Sequence, residues 1–424
     1  MKEILPRSGL DATVTVPGSK SLTQRALLAA ALADGRSELL GPLDSEDTEY
    51  TSMALQVMGI EVDKKKDHWL VDGRGGRIAT PVEPIYLGNN GTATRFLTSF
   101  VCLGKGLFTI TGDKRMEERP IEPLMQALRG WGASLTSLKG TGCPPLEIRA
   151  SGLAGGKTLL PEGKSSQYLS SLLLVAPYAR KEAELEVAGE VLSKPYVAMT
   201  LAVMDAFGVK ARADASCNHF VIPPGAYKAR TYQIEGDASG ASYFFAAAAV
   251  SRGRVTVRNM PYPSLQGDAV FVDLLERMGC RVERSEAGIM VEGSEMLSGI
   301  TVDMGDCPDV VPTLAVVAAM AEGRTTITNI AHLRIKECDR LHVMASELAK
   351  LGVKTEERDD ALLIEGCGGK PETLRGALID TYNDHRIAMS FAVAGLAVPG
   401  IRIADETCVV KSFPDFWERF ALLS

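Results

Sequence analysis

A surplus of positive charge is missing from this chain: 46 Lys and Arg face 53 Asp and Glu, for a net charge of −7. A sequence-wide basic surface for nucleic acid is thereby excluded, and any anion site must be local. Paired cysteines are missing too. The eight present (Cys102, Cys143, Cys217, Cys280, Cys307, Cys338, Cys367 and Cys408) stand singly, with no C-x-x-C. In a chain of 424 residues they read as reduced thiols of a cytosolic protein rather than staples or zinc ligands. The five histidines are dispersed, so no metal site is expected. The most apolar stretches, such as SYFFAAAAV, are too short to span a membrane. MKEILPRSGLDATVTV has no secretory h-region, which points to the cytoplasm. No GxxxxGK[ST] phosphate loop or dinucleotide fingerprint occurs, and GRGGR at 73–77 reads as a turn.

What the chain has is apolar mass and repetition. With 46% hydrophobic and 23% charged residues it can bury large cores, and its length suggests two or three domains. An amphipathic helix ending in Gly before a β-rich segment recurs at Gly59, Gly132, Gly208, Gly279 and Gly352, with spacings of 73, 76, 71 and 73. Glycine there suits a left-handed residue leaving the helix. A second pattern alternates with it: an apolar, small-residue helix, a turn, then a β-branched strand. Its turns fall at Gly35, Gly106, Arg180, Gly253, Gly323 and Gly400. Helices apolar on nearly every face must be buried. The expected fold is α/β, with six units, the last cut short, grouped three plus three around buried helices; a solenoid is the competing arrangement.

Polar residues gather just ahead of each apolar helix: PGSKSLTQR, GNNGTATR, GKSSQYLS, EGDASGAS, GDCPDVVPT and YNDHRIAM. Ser, Thr, Asn and Asp at these places are explained one by one as helix caps. Caps do not explain the accompanying Lys20, Arg25, Arg95, Lys164 and Arg386, because cations oppose the positive end of a helix dipole. An anion lying between them resolves the conflict. Further cations lie in DKRMEERPIEPL (Lys114, Arg115, Arg119), in HLRIKECDRLHVM (Lys336 and Arg340, spaced for one helical face, with Glu337 beside them) and at Lys411. A solvated helix surface would account for the second run alone. Together they predict a cleft for small polyanions carrying phosphate and carboxylate.

PGSKSLTQRALLAAALADG, LGNNGTATRFL, RMEERPIEPL, SSQYLSSLLLVAPYA, SKPYVAMTL, EGDASGASYF, PDVVPTLAV, RIKECDRLHVMASEL, YNDHRIAMSFA and VVKSFPDFW, in this order, closely resemble the 5-enolpyruvylshikimate-3-phosphate synthase family from about residue 15 to 418. The resemblance implies a two-domain enolpyruvyl transferase fold of βαβαββ-type units that closes on its substrates. Residues 1–18 and 235–424 would form the domain with both chain ends, and 19–234 the inserted domain. It implies transfer of the enolpyruvyl group of phosphoenolpyruvate to the 5-hydroxyl of shikimate 3-phosphate, with release of phosphate, through a tetrahedral intermediate. The reaction belongs to the shikimate pathway to chorismate and aromatic amino acids. No cofactor, metal, nucleic acid or membrane partner is implied; a monomer is expected, with glyphosate as competitive inhibitor.

Carried over by motif, Lys20, Ser21, Arg25, Ser165, Ser166, Gln167, Ser193, Tyr196, Asp309 and Lys336 would contact shikimate 3-phosphate. Lys20, Gly91, Arg119, Gln167, Arg340, Arg386 and Lys411 would contact phosphoenolpyruvate. Asp309 resembles the proton acceptor for the attacking hydroxyl, with Glu337 and Lys20 as the candidate proton donors. Asn90, Thr94 and Phe96 depart from the commoner Ala, Met and Pro, and His332 stands where many members have an Asn that contacts shikimate 3-phosphate. The rival readings are UDP-N-acetylglucosamine enolpyruvyl transferase, whose loop cysteine is absent from RMEERP, and a non-catalytic anion-binding protein of the same fold.

Overall fold

The computed structural model describes residues 1–163, 165–285 and 288–423, so Lys164 lies outside the described residues. The chain divides into two compact units, Lys20–Ile234 and Met1–Ser19 with Glu235–Ser424. Each has a hydrophobic core of its own.

In the unit of residues 20–234, helices α1 (Lys20–Leu32), α3 (Gly91–Val101) and α5 (Ser166–Val175) are buried along almost their whole length. They alternate with α2 (Glu46–Val57), α4 (Glu122–Gly130) and α6 (Lys194–Ala206), which keep exposed positions. In the other unit the inner helices are α7 (Ala238–Ser251), α9 (Val311–Met320) and α11 (His385–Ala397). Their partners are α8 (Phe271–Arg277) and α10 (Arg340–Lys350), and α12 (Phe416–Ala421) ends the chain. Every residue of α7 and α9 is buried. Ala-rich faces let α7, α9 and α11 pack against one another. Their interior hydroxyls satisfy each other, Ser242 Oγ lying 3.1 Å from Thr313 Oγ1, which lies 3.5 Å from Ser390 Oγ.

Small sheets sit outside these helices, each combining one parallel pair with one or two antiparallel pairs. In one, Asp34–Leu40 pairs parallel with Thr231–Gln233 and antiparallel with His68–Arg74, which pairs with Glu61–Lys64. The opening residues complete two sheets of the other unit: Asp11–Val14 runs parallel to Arg254–Val257, and Lys2–Glu3 pairs with Arg402–Ile403.

Gly59, Gly132, Gly208, Gly279 and Gly352 all follow an amphipathic helix with φ between +82° and +109°, the left-handed turn the sequence spacing predicts. Of the second pattern's turn residues, Gly35, Gly106, Gly323 and Gly400 have positive φ, and Arg180 and Gly253 do not. In its fourth copy the left-handed residue is Arg252 (φ 56°), not Gly253. Gly253 is needed instead because a Cβ there would strike the backbone and side chain of Leu10.

Candidate active site

In the unit of residues 20–234, the polar residues collect at the N-terminal turns of α1, α3, α5 and α6. Lys20 opens α1 and pairs with Asp47 at 3.0 Å, both largely buried. The Asp47 carbonyl accepts from Asn90 Nδ2 at 2.6 Å and from Gln24 Nε2 at 3.1 Å, which ties α1 and α2 to the start of α3. Asn90 also caps α3, accepting from the Ala93 N–H at 2.9 Å, a bond worth about 1 kcal/mol.

Gly91 follows, buried, and its space is filled by a guanidinium. A Cβ on it would lie 2.8 Å from Arg119 Cζ. Arg119 is 5% exposed and donates to Asn89 Oδ1 at 3.0 Å. Gln167, in the first turn of α5, donates to Thr92 Oγ1 at 3.1 Å and joins α5 to α3.

Arg25 is buried one turn into α1. Its donors reach Thr200 Oγ1 (2.7 Å), the Ser21 carbonyl (2.9 Å), Ser170 Oγ (3.1 Å) and the Tyr196 carbonyl (3.2 Å). Phe96 and Tyr196 offer ring faces at 5.2 and 6.0 Å. No carboxylate pairs with Arg25 among the described residues, and burial pulls its pKa down to about 10. A buried cation held only by neutral groups is costly, and a phosphate would supply the missing charge. Ser165 is the N-cap residue of α5, Ser166 opens that helix, and Ser193, left-handed at φ 57°, precedes α6. The hydrogen bonds above link Lys20, Arg25, Gly91, Arg119, Gln167 and Tyr196 into one neighbourhood. Arg95, by contrast, is spent on the Pro120 and Gly91 carbonyls, at 3.0 and 3.3 Å.

The other unit concentrates full charges. Arg340, 1% exposed, donates Nε to Asp384 Oδ2 (2.7 Å), Nη2 to Glu337 Oε2 (2.9 Å) and Nη1 to Asp309 Oδ1 (3.2 Å). Burial opposes its charge, yet Asp384, Glu337 and Asp309 outweigh burial and raise its pKa. Asp309, in the turn Pro308–Val310 ahead of α9, also accepts from Arg386 Nη2 at 2.6 Å. Lys411 lies 3.6 Å from Glu337. The structure thus brings Asp309, Glu337, Arg340, Arg386 and Lys411 into one cluster.

Lys336 and Arg340 do not share a helical face. Asp339 caps α10 by accepting from the His342 N–H at 3.0 Å, so that helix begins at Arg340 and leaves Lys336 extended at the end of a 3-10 turn. His332, in that turn, is 6% exposed, with neither ring nitrogen hydrogen-bonded among the described residues. Burial, then the Lys336 charge, push its pKa down to about 3, so its imidazole is neutral.

Sequence reasoning missed Asp384 as the partner of Arg340, Asp47 as that of Lys20, and Asn89 as that of Arg119. Asp384 was visible only as a cap, and it is one, accepting from the Arg386 N–H at 2.9 Å. Glu184, Glu186 and His219 place donor atoms within 4.8 Å of one another on the paired strands Ala183–Val187 and His219–Ile222, but Lys157 already sits on Glu186 at 2.5 Å. No described helix is long and apolar enough to cross a membrane.

Inner helices that carry buried cations and a paired carboxylate at their N-terminal turns are suited to hold anionic metabolites. A model of the family "EPSP synthase (3-phosphoshikimate 1-carboxyvinyltransferase)" matches residues 4–420, and the chain belongs to that family. It is 47% identical over 423 residues to the 3-phosphoshikimate 1-carboxyvinyltransferase of Syntrophobacter fumaroxidans, covering 100% of this chain and 99% of the other. To that of Methanosphaerula palustris it is 45% identical, covering 99% of both. It superposes on a solved EPSP synthase of Acinetobacter baumannii with a TM-score of 0.83 at 30% identity, over 99% of this chain and 97% of that one. The protein is an α/β transferase of the shikimate pathway, and the UDP-N-acetylglucosamine reading is not favoured.

Proposed function

We propose that Lys20, Ser21, Arg25, Ser165, Ser166, Gln167, Ser193, Tyr196 and Lys336 bind shikimate 3-phosphate, and that Lys20, Gly91, Arg119, Gln167, Arg340, Arg386 and Lys411 bind phosphoenolpyruvate. The observation that carries this reading is the double hold of two guanidiniums, Arg340 and Arg386, on the single carboxylate of Asp309. Two forks converging on one acid form a ready anion clamp beside a proton acceptor.

Asp309 takes the proton of the 5-hydroxyl as its oxygen bonds to C2 of phosphoenolpyruvate. The methylene carbon receives a proton from Glu337 or Lys20, which makes C2 electrophilic and gives a tetrahedral intermediate. Loss of a methyl proton with departure of phosphate restores the double bond, now as an enol ether. The guanidiniums and lysines stabilise charge that grows on phosphate and carboxylate. The neutral imidazole of His332 hydrogen-bonds shikimate 3-phosphate in place of the more usual Asn. Glyphosate, itself an anion, competes with phosphoenolpyruvate at Gly91 and Arg119. The eight cysteines, all free thiols, support a reducing, cytoplasmic setting, and the chain acts as a monomer.

Phosphate release from phosphoenolpyruvate, with shikimate 3-phosphate or UDP-N-acetylglucosamine as acceptor, tests the substrate. Release only with shikimate 3-phosphate is expected. Release only with the nucleotide sugar, or with neither acceptor, would overturn the reading.

A further inference from the structure

Asp268 has no part in the mechanism above, yet it is 4% exposed and carries a titratable group. It lies in the 3-10 turn Gly267–Val270, packed on α7. Its carboxylate accepts from the Ser239 hydroxyl in the first turn of that helix. Ser239 and Tyr243 are four residues apart, so they project from one helix face about 5–6 Å from each other. The Tyr243 hydroxyl accepts from Arg386 Nη1 at 3.5 Å, while Nη2 of the same guanidinium holds Asp309 at 2.6 Å. One face of α7 therefore sets Asp268 beside Arg386, and Arg386 beside Asp309.

We propose that Asp268 is a positioning residue whose protonation sets how much of the Arg386 charge is available to bind phosphoenolpyruvate. The inference rests on the reading of Arg386 as a phosphoenolpyruvate contact. The groups facing Asp268 are Asp237, the N-cap of α7, Ser239 in its first turn, Cys307 and Asp309 from the segment ahead of α9, and Arg386 from α11, while Tyr243 on α7 faces Arg386, Arg340 and Asp384. Burial pushes the Tyr243 hydroxyl up to about 12 and raises the Cys307 thiol, so both stay neutral at ordinary pH. Burial, then the Asp309 charge, push the Asp268 carboxyl up to about 7, against the pull of Arg386 and the Ser239 bond. Below that pH Asp268 is neutral and adds no charge to the hold that Asp309 has on Arg386. Above it a second negative charge draws on the same guanidinium and weakens its hold on an anion.

The Michaelis constant for phosphoenolpyruvate is measured from pH 5.5 to 8.5 at saturating shikimate 3-phosphate, for the parent and for Asp268→Asn. Titration of the substrate's own phosphate appears in both proteins and cancels in the ratio. The parent-to-variant ratio should climb on the order of tenfold through an inflection near pH 7, the effect of one added negative charge about 12 Å from the bound anion at an effective dielectric of about 20. A ratio that does not change with pH, as a merely structural role would leave it, overturns the proposal. Ser239→Ala removes a bond that favours the charged carboxylate, so the inflection should move to higher pH. An unmoved inflection overturns the proposal as well, and this variant decides alone if Asp268→Asn does not fold. Arg386→Lys separates the two readings: an unchanged Michaelis constant there refutes the phosphoenolpyruvate contact itself.

Discussion

Gly91→Ala places one carbon against the Arg119 guanidinium. The new Cβ would stand 2.8 Å from Cζ, whereas ordinary contact begins at 3.4 Å. The guanidinium must retreat by more than about 0.6 Å, because its Nη2 lies nearer still to the new carbon and a rigid interior has few voids to absorb the overlap. That shift stretches the bond to Asn89 Oδ1, now 3.0 Å, and draws the fork away from any anion it binds. A charge-assisted bond is worth roughly 1.5–3 kcal/mol, so losing most of one raises the Michaelis constant for phosphoenolpyruvate about ten- to a hundredfold. The backbone does not oppose the change: Gly91 opens α3 without a left-handed φ, so thermal stability should hold within about 1 kcal/mol. The assay is steady-state phosphate release with phosphoenolpyruvate varied, run with and without glyphosate, whose inhibition should weaken in parallel. A double-mutant cycle sharpens it, since Gly91→Ala should add almost nothing once Arg119 is Ala. A Michaelis constant within about twofold of the parent's would refute the argument that Gly91 exists to seat Arg119.

Asp309→Ala should lower turnover by about 10²–10⁴-fold with shikimate 3-phosphate still bound, read by single-turnover kinetics and calorimetry; undiminished turnover removes the base role. His332 gives a stability prediction. Its folded pKa of about 3 lies below its ordinary 6.5, so only the unfolded chain gains the proton as pH falls. Its contribution is therefore full above pH 6.5 and is lost progressively from there down towards 3, by about 2 kcal/mol at pH 5. Urea melts at pH 7 and 5 should show His332→Asn losing that much less than the parent; equal losses would refute the assignment. Cys338→Ser should leave activity nearly unchanged, because Ser can keep the hydrogen bond that Sγ makes to Asp384 Oδ2 at 3.4 Å; lost activity under reducing conditions would contradict this.

The architecture was legible because burial writes itself into composition. Helices such as VPTLAVVAAM have no polar face to show solvent, and the recurring Gly at their partners' ends marks the exits. Within the site, sequence named the cations but not what holds them. Asp47 and Asp384 come from other turns of the chain than Lys20 and Arg340, and pairing across such distances leaves no local signal. The Lys336–Arg340 spacing misled for a physical reason, since i, i+4 implies a shared face only inside a helix, and the Asp339 cap starts that helix between them. Asp268 was invisible because its neighbours are set by the Ser239–Tyr243 face of α7.

The pairing of Lys2–Glu3 with Arg402–Ile403 joins positions about four hundred residues apart in the chain. On the ribosome, the unit of residues 20–234 has every strand of its sheets once Thr231–Gln233 emerges. The strand Asp11–Val14 must wait for Arg254–Val257, and Lys2–Glu3 stays solvated and without its partner until nearly all of the polypeptide is made. Synthesis thus imposes a timetable in which the inserted half matures first and the half that holds residues 1–19 is finished last.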